Sequence, residues 1–499
     1  MSASATGQVR IGAGAVSTGT TRHFWSSSSL GVAALALHFP LGLALAKYPR
    51  FGVFHAGAAL AVGLLWAFAG RHPWRVAYAA AYIAGAEVLW RMTGAPIFWE
   101  YSKYAVGLLF LIGRFRFGGG KAPAVPLIYF LLLLPSTVLT LSDPWPIAFN
   151  NLSFNLSGPF ALMSSILFFW RLRISKAQYR RLLLVVVAPI CGVSALTFQG
   201  LRQSGPIIRF GTQSNYASSG GFAPNQVSAV LGLGFAFMAL YLVTAPSRPV
   251  LRLALMGMMM AFAAQSAMTF SRGGLYLAVG SLLAASAYLW REPGPRRRFL
   301  VGAVFVAVSA VLVVLPRLLA FTEGAILTRF AETSTTGRYE IVQADLLTWL
   351  EHPIAGVGPG RAASGRARFF REVASHTEFT RLLAEHGLFG LAAIVCLTIL
   401  IRRALRRRGG TTARGLRGAM ITWSTLFMLV DGMRLAAPAF VFGLSFVEIL
   451  HRRSRLSRHI AGRDDQAQAE SLARMQSPAV AAGSPRWVLA EGSDGQRGR

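Results

Sequence analysis

The sequence is dominated by apolar runs that follow one another along most of the chain. We place these runs at Leu30–Ala46, Gly52–Gly70, Val76–Trp90, Tyr104–Gly113, Val125–Leu141, Leu156–Trp170, Leu182–Phe198, Gln226–Ala245, Leu253–Thr269, Leu275–Trp290, Phe299–Ala320, Leu382–Ile401, Ala419–Val430 and Leu435–Leu450. Several approach the roughly 20 residues that an α-helix needs to cross a bilayer. Lipid offers no hydrogen bonds to an open backbone, so runs of this length fold as helices. The pattern predicts an all-α polytopic membrane protein with about 12 to 14 transmembrane helices.

The composition agrees with this interpretation. Of 499 residues, 54% are hydrophobic and 14% are charged, whereas about a quarter of the residues in a typical soluble domain are charged. The formal net charge is +31, but the basic residues concentrate in short loops between apolar runs, as they do in cytoplasmic loops of membrane proteins. No basic stretch outside the apolar runs is interleaved with stacking aromatic residues, so we expect no nucleic-acid partner.

The loops also predict which side of the membrane each segment faces. The basic loops are Arg71–Arg75, Arg114–Lys121, Arg171–Arg181, Arg291–Arg298, Arg402–Arg417 and the stretch from Arg452 to Arg463. Alternating the spans puts all of them on one side, which the positive-inside rule identifies as the cytoplasm. Lys47 and Arg50 are the exceptions, a basic pair on the far side. The outward side then receives four segments: Met92–Lys103, Ser142–Asn155, Gly200–Asn225 and Phe321–Arg381.

The organisation that follows has five parts. Residues 1–29 and 451–499 are rich in small and polar residues without apolar periodicity, so we expect both to be disordered cytoplasmic tails. We expect transmembrane helices with short loops over 30–320 and again over 382–450. Between them, residues 321–381 form the longest polar interval. We interpret this interval as an outward loop that contains short helices and the chemistry of the protein.

His376 is the first candidate for chemistry within this loop. It lies just before an amphipathic run in which Phe379, Leu383 and Gly387 recur at helical spacing, which places it at the membrane–water boundary on the first turn of a span. An imidazole can accept a proton from a hydroxyl at neutral pH. Taken alone, a histidine at such a place more often caps a helix, and it is the surrounding motif that favours chemistry.

Arg272, between two apolar runs, and Arg338, in the long polar interval, are candidates for binding an anion. Arg338 follows Thr336-Gly337, and Arg272 lies in Ser271-Arg272-Gly273-Gly274 between two runs. Guanidinium groups suit bidentate phosphate binding, and an arginine this close to hydrocarbon is costly unless an anion pairs with it. The two glycines allow a backbone to approach closely. The alternatives are an ordinary loop arginine paired with Glu340 and a snorkelling arginine at a span end.

A second outward loop carries further basic residues. Arg202 and Arg209 add positive charge on the side where it is disfavoured, which an anionic ligand would explain. Pro224-Asn225 fits the start of the next helix. We assign Arg202, Arg209 and Asn225 to substrate binding, together with Glu378 beside His376. The alternative is an ordinary surface loop.

Several common enzyme motifs are absent from the sequence. No DxD, HExxH or carboxylate cluster lies outside the apolar runs, which disfavours a metal-dependent glycosyltransferase or protease, and we expect neither a metal nor a cofactor. No Walker motif is present, which argues against ATP-driven transport. Gly356, Gly358 and Gly360 resemble a dinucleotide-binding loop, but no βαβ unit surrounds them. We expect instead a tight turn that begins at His352-Pro353.

Taken in order, these motifs resemble those of the O-antigen ligase and polymerase superfamily. The matching residues are Arg209…Pro224-Asn225, Ser271-Arg272-Gly273-Gly274, Gly337-Arg338, His352-Pro353…Gly356-Val357-Gly358 and His376-Thr377-Glu378-Phe379…Glu385-His386-Gly387…Gly390. The resemblance covers roughly Arg202 to Ile401. Each short motif is weak by itself, and it is their order and sidedness that carry the resemblance. Many family members have Asn after the histidine, where this chain has Thr377.

The resemblance implies a GT-C-like, multi-span glycosyltransferase of the bacterial inner membrane, with its active site on the periplasmic face and both termini in the cytoplasm. The donor would be an undecaprenyl-diphosphate-linked glycan. The acceptor would be a hydroxyl of lipid A-core, of another lipid-linked glycan or of a protein, as in lipopolysaccharide or exopolysaccharide synthesis. Transfer would proceed with inversion and without metal. His376 would activate the acceptor hydroxyl, while Arg209, Arg272 and Arg338 would bind the diphosphate.

The residues themselves support the same function. An outward site cannot use ATP or nucleotide-sugars, whereas a lipid diphosphate carries its activation within the membrane. With no metal ligands in view, arginines are the groups available to stabilise a diphosphate leaving group. The alternative function is a membrane permease for an anionic solute, with the arginines as its binding site. The charged candidates lie at span ends on one side rather than at the midplane, which favours surface chemistry.

Overall fold

The computed structural model describes residues 27–118, 120–204, 208–211, 213–245, 249–332, 337–370 and 372–450. In chain order its helices and strands are α1 (Ser27–Lys47), α2 (Pro49–Phe68), α3 (Pro73–Met92), α4 (Tyr101–Phe117), α5 (Ala124–Leu131), α6 (Thr137–Thr140), α7 (Trp145–Phe169), β1 (Arg173–Ser175), α8 (Lys176–Ser204), α9 (Pro224–Thr244), α10 (Pro249–Met268), α11 (Gly273–Leu289), α12 (Pro293–Ser309), α13 (Leu315–Phe321), α14 (Ala325–Ala331), α15 (Arg338–Glu351), α16 (Ala362–Gly365), α17 (Glu378–Arg406), α18 (Thr411–Val430), α19 (Ala436–Leu444) and β2 (Glu448–Leu450). A 3₁₀ turn occupies Ala217–Ser219, and a π-helical segment, Ala310–Val314, joins α12 to α13. Most of the predicted tails, 1–29 and 451–499, lies outside the described residues, and α1 begins at Ser27.

The helices confirm the predicted all-α polytopic fold. Seven of those described are long and apolar enough to cross a bilayer, namely α2, α7, α8, α9, α10, the continuous stretch Pro293–Phe321 and α17. Two further apolar helices, Gly31–Lys47 and Gly273–Leu289, are shorter. The predicted total of about 12 to 14 spans also counted runs that form short helices, among them α4 and α19.

Burial separates core helices from helices at the rim. In the most apolar window of α9, 94% of the residues are buried, and the corresponding value for α8 is 78%. No residue is buried in the corresponding window of Pro293–Phe321, although its mean hydropathy of 2.7 is the highest of the seven. A helix that is apolar all round and uncovered by neighbours suits lipid contact, so this stretch faces lipid.

Helices α9 and α11 approach each other closely at Gly232 and Gly274. A Cβ on Gly274 would lie 1.9 Å from the carbonyl oxygen of Ser228, and a Cβ on Gly232 would lie 2.1 Å from that of Gly274. The Ser228 hydroxyl donates to the carbonyl oxygen of Ser271 at 2.8 Å. Because small residues let helix backbones pack this tightly, the start of α11, and with it the backbone of Arg272, is fixed against a core helix.

Two apolar runs predicted to be single spans are interrupted. The run Val125–Leu141 folds as α5, a turn and α6, because Pro135 cannot donate the backbone hydrogen bond that a continuous helix needs. The run Leu435–Leu450 forms the short helix α19 and then strand β2. Strand β2 pairs in parallel with β1, with Arg173 opposite Glu448.

Helix α17 is broken at Gly387, where the backbone has φ 57° and ψ −130°. The amide of Leu388 bonds to the carbonyl oxygens of Pro353 (2.8 Å) and Ile354 (3.0 Å). These bonds replace part of the helical ladder that the break removes. A Cβ on Gly387 would lie 2.5 Å from the carbonyl oxygen of Ile354, so the break and the turn that fills it require each other.

The turn itself is the one predicted to begin at His352-Pro353. Gly356, Gly358 and Gly360 all have positive φ, at 65°, 95° and 82°, a region that glycine enters without steric cost. The amide of Gly358 bonds to the carbonyl oxygen of Glu385 at 3.0 Å, and the amide of Gly360 bonds to its side chain at 2.9 Å. The glycines therefore bring the polar interval directly against α17.

Candidate active site

His376 lies between α16 and α17, immediately before the N-cap of α17. Thr377 is that cap, since its side-chain oxygen accepts from the backbone amides of Phe379 (3.2 Å) and Thr380 (3.3 Å). Threonine and asparagine are both favoured at this position, so Thr377 satisfies the backbone groups that an asparagine there would satisfy. The sequence placed His376 on the first turn of a span. The structure places it two residues before the helix, with its exit fixed by the cap.

A buried ion pair holds the backbone on the other side of His376. Arg366 and Asp345 are both fully buried and form a salt bridge. Arg366 also donates to the Ser375 hydroxyl at 2.8 Å, and Thr380 donates to the second oxygen of Asp345 at 2.8 Å. Burial raises the pKa of Asp345, and Arg366 opposes that shift. Helix α15, the Arg366 segment and the start of α17 therefore meet around one carboxylate.

The His376 imidazole is surrounded by positive charge. Its Nδ1 atom is buried and has no hydrogen-bond partner among the described residues. Burial, followed by the charges of Arg434, Arg338 and Arg366, lowers the pKa of His376 to about 4. The imidazole is consequently neutral at pH 7 and able to accept a proton.

Arg338 and Arg272, both predicted from the sequence to bind an anion, lie close enough for their charges to act on each other. Arg338 begins α15 directly after Gly337, which has φ 82°. Burial lowers the pKa of Arg338, Asp431 opposes the shift, and Arg434 and Arg272 lower the pKa further. Within the described residues no salt bridge joins Arg338 to a carboxylate, which leaves its guanidinium available to a ligand.

Two further arginines that the sequence did not assign to the site complete the group. Arg329 in α14 is 6% exposed and donates to a backbone carbonyl oxygen at 2.8 Å. Burial and Arg272 lower the pKa of Arg329, and Arg338 acts in the same direction. Arg434, in the α18–α19 connection, donates to the carbonyl oxygen of Ser375 at 3.0 Å. We call Arg272, Arg329, Arg338 and Arg434 the arginine cluster.

Positive charge exceeds negative charge in the arginine cluster. Asp431 is 3% exposed and lies 3.7 Å from Arg434, while Glu332 lies 3.8 Å from Arg329. Burial raises the pKa of Asp431, and Arg434 and Arg338 oppose the shift. Among the described residues, four guanidinium groups thus face two carboxylates. The excess of positive charge among these groups suits an anionic ligand.

Asn225, predicted to bind substrate, instead accepts a hydrogen bond from the residue next to Arg272. The Ser271 hydroxyl donates to Asn225 Oδ1 at 2.8 Å, which ties the start of α9 to the start of α11. Arg272 itself donates to the carbonyl oxygen of Glu332. Gly274, predicted to allow a close backbone approach, allows that of α9. The motif therefore positions Arg272 through helix packing.

The two remaining basic residues predicted to bind substrate lie in different places. Arg209 is exposed, and it is carried beside the Arg272 segment because the ring of Phe210 stacks on Phe270 at 5.1 Å. Arg202 lines a separate cavity of about 1150 Å³ together with Lys47. The fold thus brings Arg209 towards the arginine cluster and places Arg202 at a second cavity.

A further cavity, of about 890 Å³, adjoins His376 on the side of Ser375 and Arg434. Its walls come from the α3–α4 connection, the starts of α4, α7 and α17, and the connections before α17 and α19. Residues 98–100, 149–155 and 360–381 contribute to it, and these ranges belong to three of the four segments predicted to lie on the outward side. We call this space the aromatic cavity.

Glu378, predicted to bind substrate, lines the aromatic cavity but is already paired. Its carboxylate lies 2.5 Å from the guanidinium group of Arg381, which also donates to Glu385 at 2.6 Å. Asn155 accepts from the same guanidinium at 2.8 Å. The amide of Met433 donates to Glu378 at 3.1 Å. Glu378 therefore joins α17 to the α18–α19 connection.

Within the ranges that the structure describes, no group of three or more His, Cys, Asp or Glu side chains gathers as metal ligands. The carboxylates next to His376 are engaged by arginines instead: Asp345 by Arg366, and Glu378 by Arg381. The site thus offers guanidinium groups as its means of binding and stabilising negative charge.

Comparison with known proteins bears on this site directly. Residues 266–395 match the family described as O-antigen ligase, a range that contains Arg272, Arg329, Arg338 and His376. This part of the chain is therefore similar to the O-antigen ligase family. No curated protein matches it.

This match supports glycan transfer at a membrane, with glycans and lipid-linked molecules as substrates in general. It favours an enzyme over the alternative permease. Arg434 and the α7 wall of the aromatic cavity lie outside the matched range. The sequence signal for Arg434 is a charged residue between two apolar runs, and its contact with Ser375 is visible only in the fold.

Proposed function

We propose that the protein transfers a glycan from an undecaprenyl-diphosphate-linked donor to a hydroxyl acceptor on the periplasmic face of the bacterial inner membrane. The observation that carries the proposal is a neutral His376, its buried Nδ1 without a described hydrogen-bond partner, beside the arginine cluster. The diphosphate would meet the guanidinium groups while the acceptor hydroxyl meets the imidazole. The acceptor is lipid A-core, another lipid-linked glycan or a protein hydroxyl.

The reaction is a single displacement at the anomeric carbon of the donor glycan. The acceptor oxygen forms a bond to this carbon as the bond from carbon to the diphosphate oxygen breaks, and the electron pair leaves with undecaprenyl diphosphate. The hydroxyl proton passes to His376, whose neutral imidazole acts as the general base. Attack opposite the leaving group inverts the anomeric configuration.

The arginine cluster stabilises the charge that develops on the leaving diphosphate. Arg272 begins α11, Arg338 begins α15 and Arg434 follows α18, so the fold sets their positions before a donor arrives. Preorganised charges of this kind lower a barrier without reorganisation during the reaction. The bound diphosphate also offsets the positive potential at His376, which raises the pKa of the imidazole and makes it a stronger base. The scheme requires no metal.

The outward assignment rests on the basic loops and on the aromatic cavity. Three segments that the positive-inside rule puts on the outward side contribute to the walls of this one cavity. A site on that face has no access to nucleotide-sugars. A lipid-linked diphosphate carries its own activation and supplies the leaving group.

The test is a transfer reaction with the purified full-length protein in liposomes. With a radiolabelled undecaprenyl-diphosphate-linked glycan and lipid A-core, we expect labelled lipid A-core and an equal amount of undecaprenyl diphosphate. Without lipid A-core, lengthening of the lipid-linked glycan would identify a polymerase instead of a ligase. We expect the product linkage to be inverted by NMR and the rate to survive EDTA. Transfer from a nucleotide-sugar, or none from either lipid-linked arrangement, would contradict the proposal.

A further inference from the structure

The aromatic cavity has a composition unlike that of the arginine cluster. Its volume of about 890 Å³ falls within the range of about 300–1,000 Å³ that is typical of small-molecule sites. Aromatic rings form much of its wall, from Phe98, Trp99, Tyr104, Phe149 and Phe154. The first three turns of α7 add the amides of Asn150, Asn151 and Asn155. Rings and planar amides therefore alternate along one helix and face a second group of rings.

Three of the five aromatic residues at this cavity are exposed, and Tyr104 and Phe154 are partly buried. Phe98, Trp99 and Phe149 expose 56%, 45% and 54% of their surfaces. Large aromatic side chains exposed together mark a surface that meets a partner. Trp99 is also held in place: the guanidinium of Arg91 lies 4.2 Å from its ring centroid and donates to its carbonyl oxygen at 2.8 Å. Arg91 is in turn paired with buried Glu87 at 2.6 Å.

The charged side chains that line the aromatic cavity are Arg381, Arg434, Glu100, Glu378 and Glu385, so its wall carries no excess positive charge. Arg381 lies between Glu378 and Glu385, with both carboxylates within 2.6 Å. Such a wall gives little attraction to a diphosphate, in contrast to the arginine cluster. Ring faces and amides that can both donate and accept hydrogen bonds suit a ligand with flat apolar faces and many hydroxyls. Sugar rings have that chemistry.

We propose that the aromatic cavity binds the sugar rings of the acceptor glycan, next to a donor whose diphosphate lies at the arginine cluster. This assignment of substrate class rests on the proposed glycan transfer. The rings of Phe149 and Trp99 stack on sugar faces, and Asn150 exchanges hydrogen bonds with sugar hydroxyls. The contacts of Ser375 and Arg434 with both the cavity and the His376 segment bring the acceptor hydroxyl to the imidazole. The competing occupant is the polyprenyl chain of the donor, which needs the rings but not the asparagines.

The experiment measures binding separately from transfer. Full-length protein in nanodiscs is applied to an array of bacterial cell-envelope oligosaccharides, and the strongest ligand is titrated by calorimetry. The variants are Phe149→Ala and Asn150→Ala. Ile147→Ala is the matched control, because Ile147 is on the same helix and 53% exposed but does not line the cavity. We expect Phe149→Ala to weaken oligosaccharide binding about tenfold, Asn150→Ala several-fold and Ile147→Ala not at all.

A second titration, with undecaprenyl diphosphate that carries no sugar, separates the two regions. We expect this lipid to bind Phe149→Ala and Asn150→Ala as tightly as the wild type and to leave oligosaccharide binding unchanged. Competition between the two ligands, with the lipid weakened by Phe149→Ala but not by Asn150→Ala, would assign the cavity to the polyprenyl chain. Wild-type protein that binds no arrayed oligosaccharide, or variants that bind as it does, would also overturn the inference. None of these binding results depends on whether His376 performs the transfer.

Discussion

The arginine cluster and the aromatic cavity both adjoin His376, but they differ in how closely carboxylates pair with their arginines. In the aromatic cavity, Arg381 has two carboxylates within 2.6 Å. In the arginine cluster, the salt bridge of Arg434 measures 3.7 Å, and Arg338 has none among the described residues. An arginine engaged at short range by its own chain is a structural element. One with a distant or absent carboxylate retains the capacity to bind an incoming anion.

This difference in pairing suggests how the His376 segment could bind two reactants of unlike charge, an anionic diphosphate and a neutral sugar. A diphosphate needs uncompensated guanidinium groups, whereas a sugar needs hydrogen-bonding groups and ring faces without a strong field. The His376 segment contacts both regions, since Ser375 binds Arg434 and lines the cavity. Substitutions on either side should therefore separate donor effects, acceptor effects and stability.

The largest expected effect comes from removing the base between the two regions. His376→Ala should lower glycan transfer by roughly 10²- to 10⁴-fold, the usual contribution of a general base, while undecaprenyl diphosphate still binds. The measurement is the transfer rate in liposomes alongside calorimetry of the lipid. His352→Ala is the control, since His352 is exposed at the end of α15, and it should transfer at the wild-type rate. Transfer by His376→Ala within twofold of wild type would remove the imidazole from the mechanism.

The next effect concerns stability and separates paired from unpaired arginines. Arg366→Ala leaves the fully buried Asp345 without its partner, which should lower the free energy of unfolding by about 3–5 kcal/mol. Arg368→Ala, whose salt bridge is 77% exposed on the arginine side, should cost at most about 1 kcal/mol. Arg338→Ala should leave the melting temperature close to that of the wild type. Equal changes in melting temperature for all three variants would contradict the distinction between structural and ligand-binding arginines.

Donor binding should respond to Arg338 and Arg272. Loss of a charge-assisted hydrogen bond costs about 1.5–3 kcal/mol, so Arg338→Ala and Arg272→Ala should each weaken donor affinity by roughly 10- to 150-fold. Lysine at either position should recover part of it, since it restores the charge without the bidentate geometry. Acceptor affinity should not change. Titration of undecaprenyl diphosphate and of the acceptor into the four variants measures both quantities, and equal affinities throughout would dismiss the diphosphate site.

The smallest effect is a shift in pH dependence. The base must be neutral, and the pKa of His376 is lowered to about 4 by burial and then by Arg434 and Arg338. Transfer should therefore be level from pH 7 to about 5 and fall as the pH drops through about 4. Arg434→Ala removes a positive charge, which raises the pKa of His376 and moves the acid limb of kcat/KM to higher pH. An acid limb at the same pH in both proteins would show that the two groups do not interact.

The sequence predicted the helical membrane fold, which the structure confirms, and it named three residues of the candidate site, whose roles stay predictions. His376 and Arg272 each lie in a short motif near the end of an apolar run, where a charged or titratable side chain requires an explanation, and Arg338 lies in a short motif within the long polar interval. Arg329 and Arg434 were missed because an arginine at a span end has the same pattern whether it snorkels or faces a ligand. Their hydrogen bonds to the carbonyl oxygens of Phe270 and Ser375 place them beside Arg272 and His376. Those contacts join distant parts of the chain.

Other features of the candidate site have no recognisable pattern in the sequence. Asn150, Asn151 and Asn155 begin an apolar helix among aromatic residues, yet nothing local relates them to His376. The Gly387 break was equally hidden, because a glycine in an apolar run is common and its φ of 57° depends on Pro353 and Ile354 filling the gap. Proximity between segments distant in the chain is the part that periodicity cannot supply.

The interlock between Gly387 and the turn after Pro353 has a consequence for turnover. The amides of Leu388 and Gly358 form hydrogen bonds across it, so we expect the turn to stay against α17 when the reactants bind. A lipid-linked donor should then reach a site that is already formed, by lateral diffusion in the bilayer. The catalytic cycle should then slow as bilayer viscosity rises, even where temperature and composition leave the protein itself unchanged.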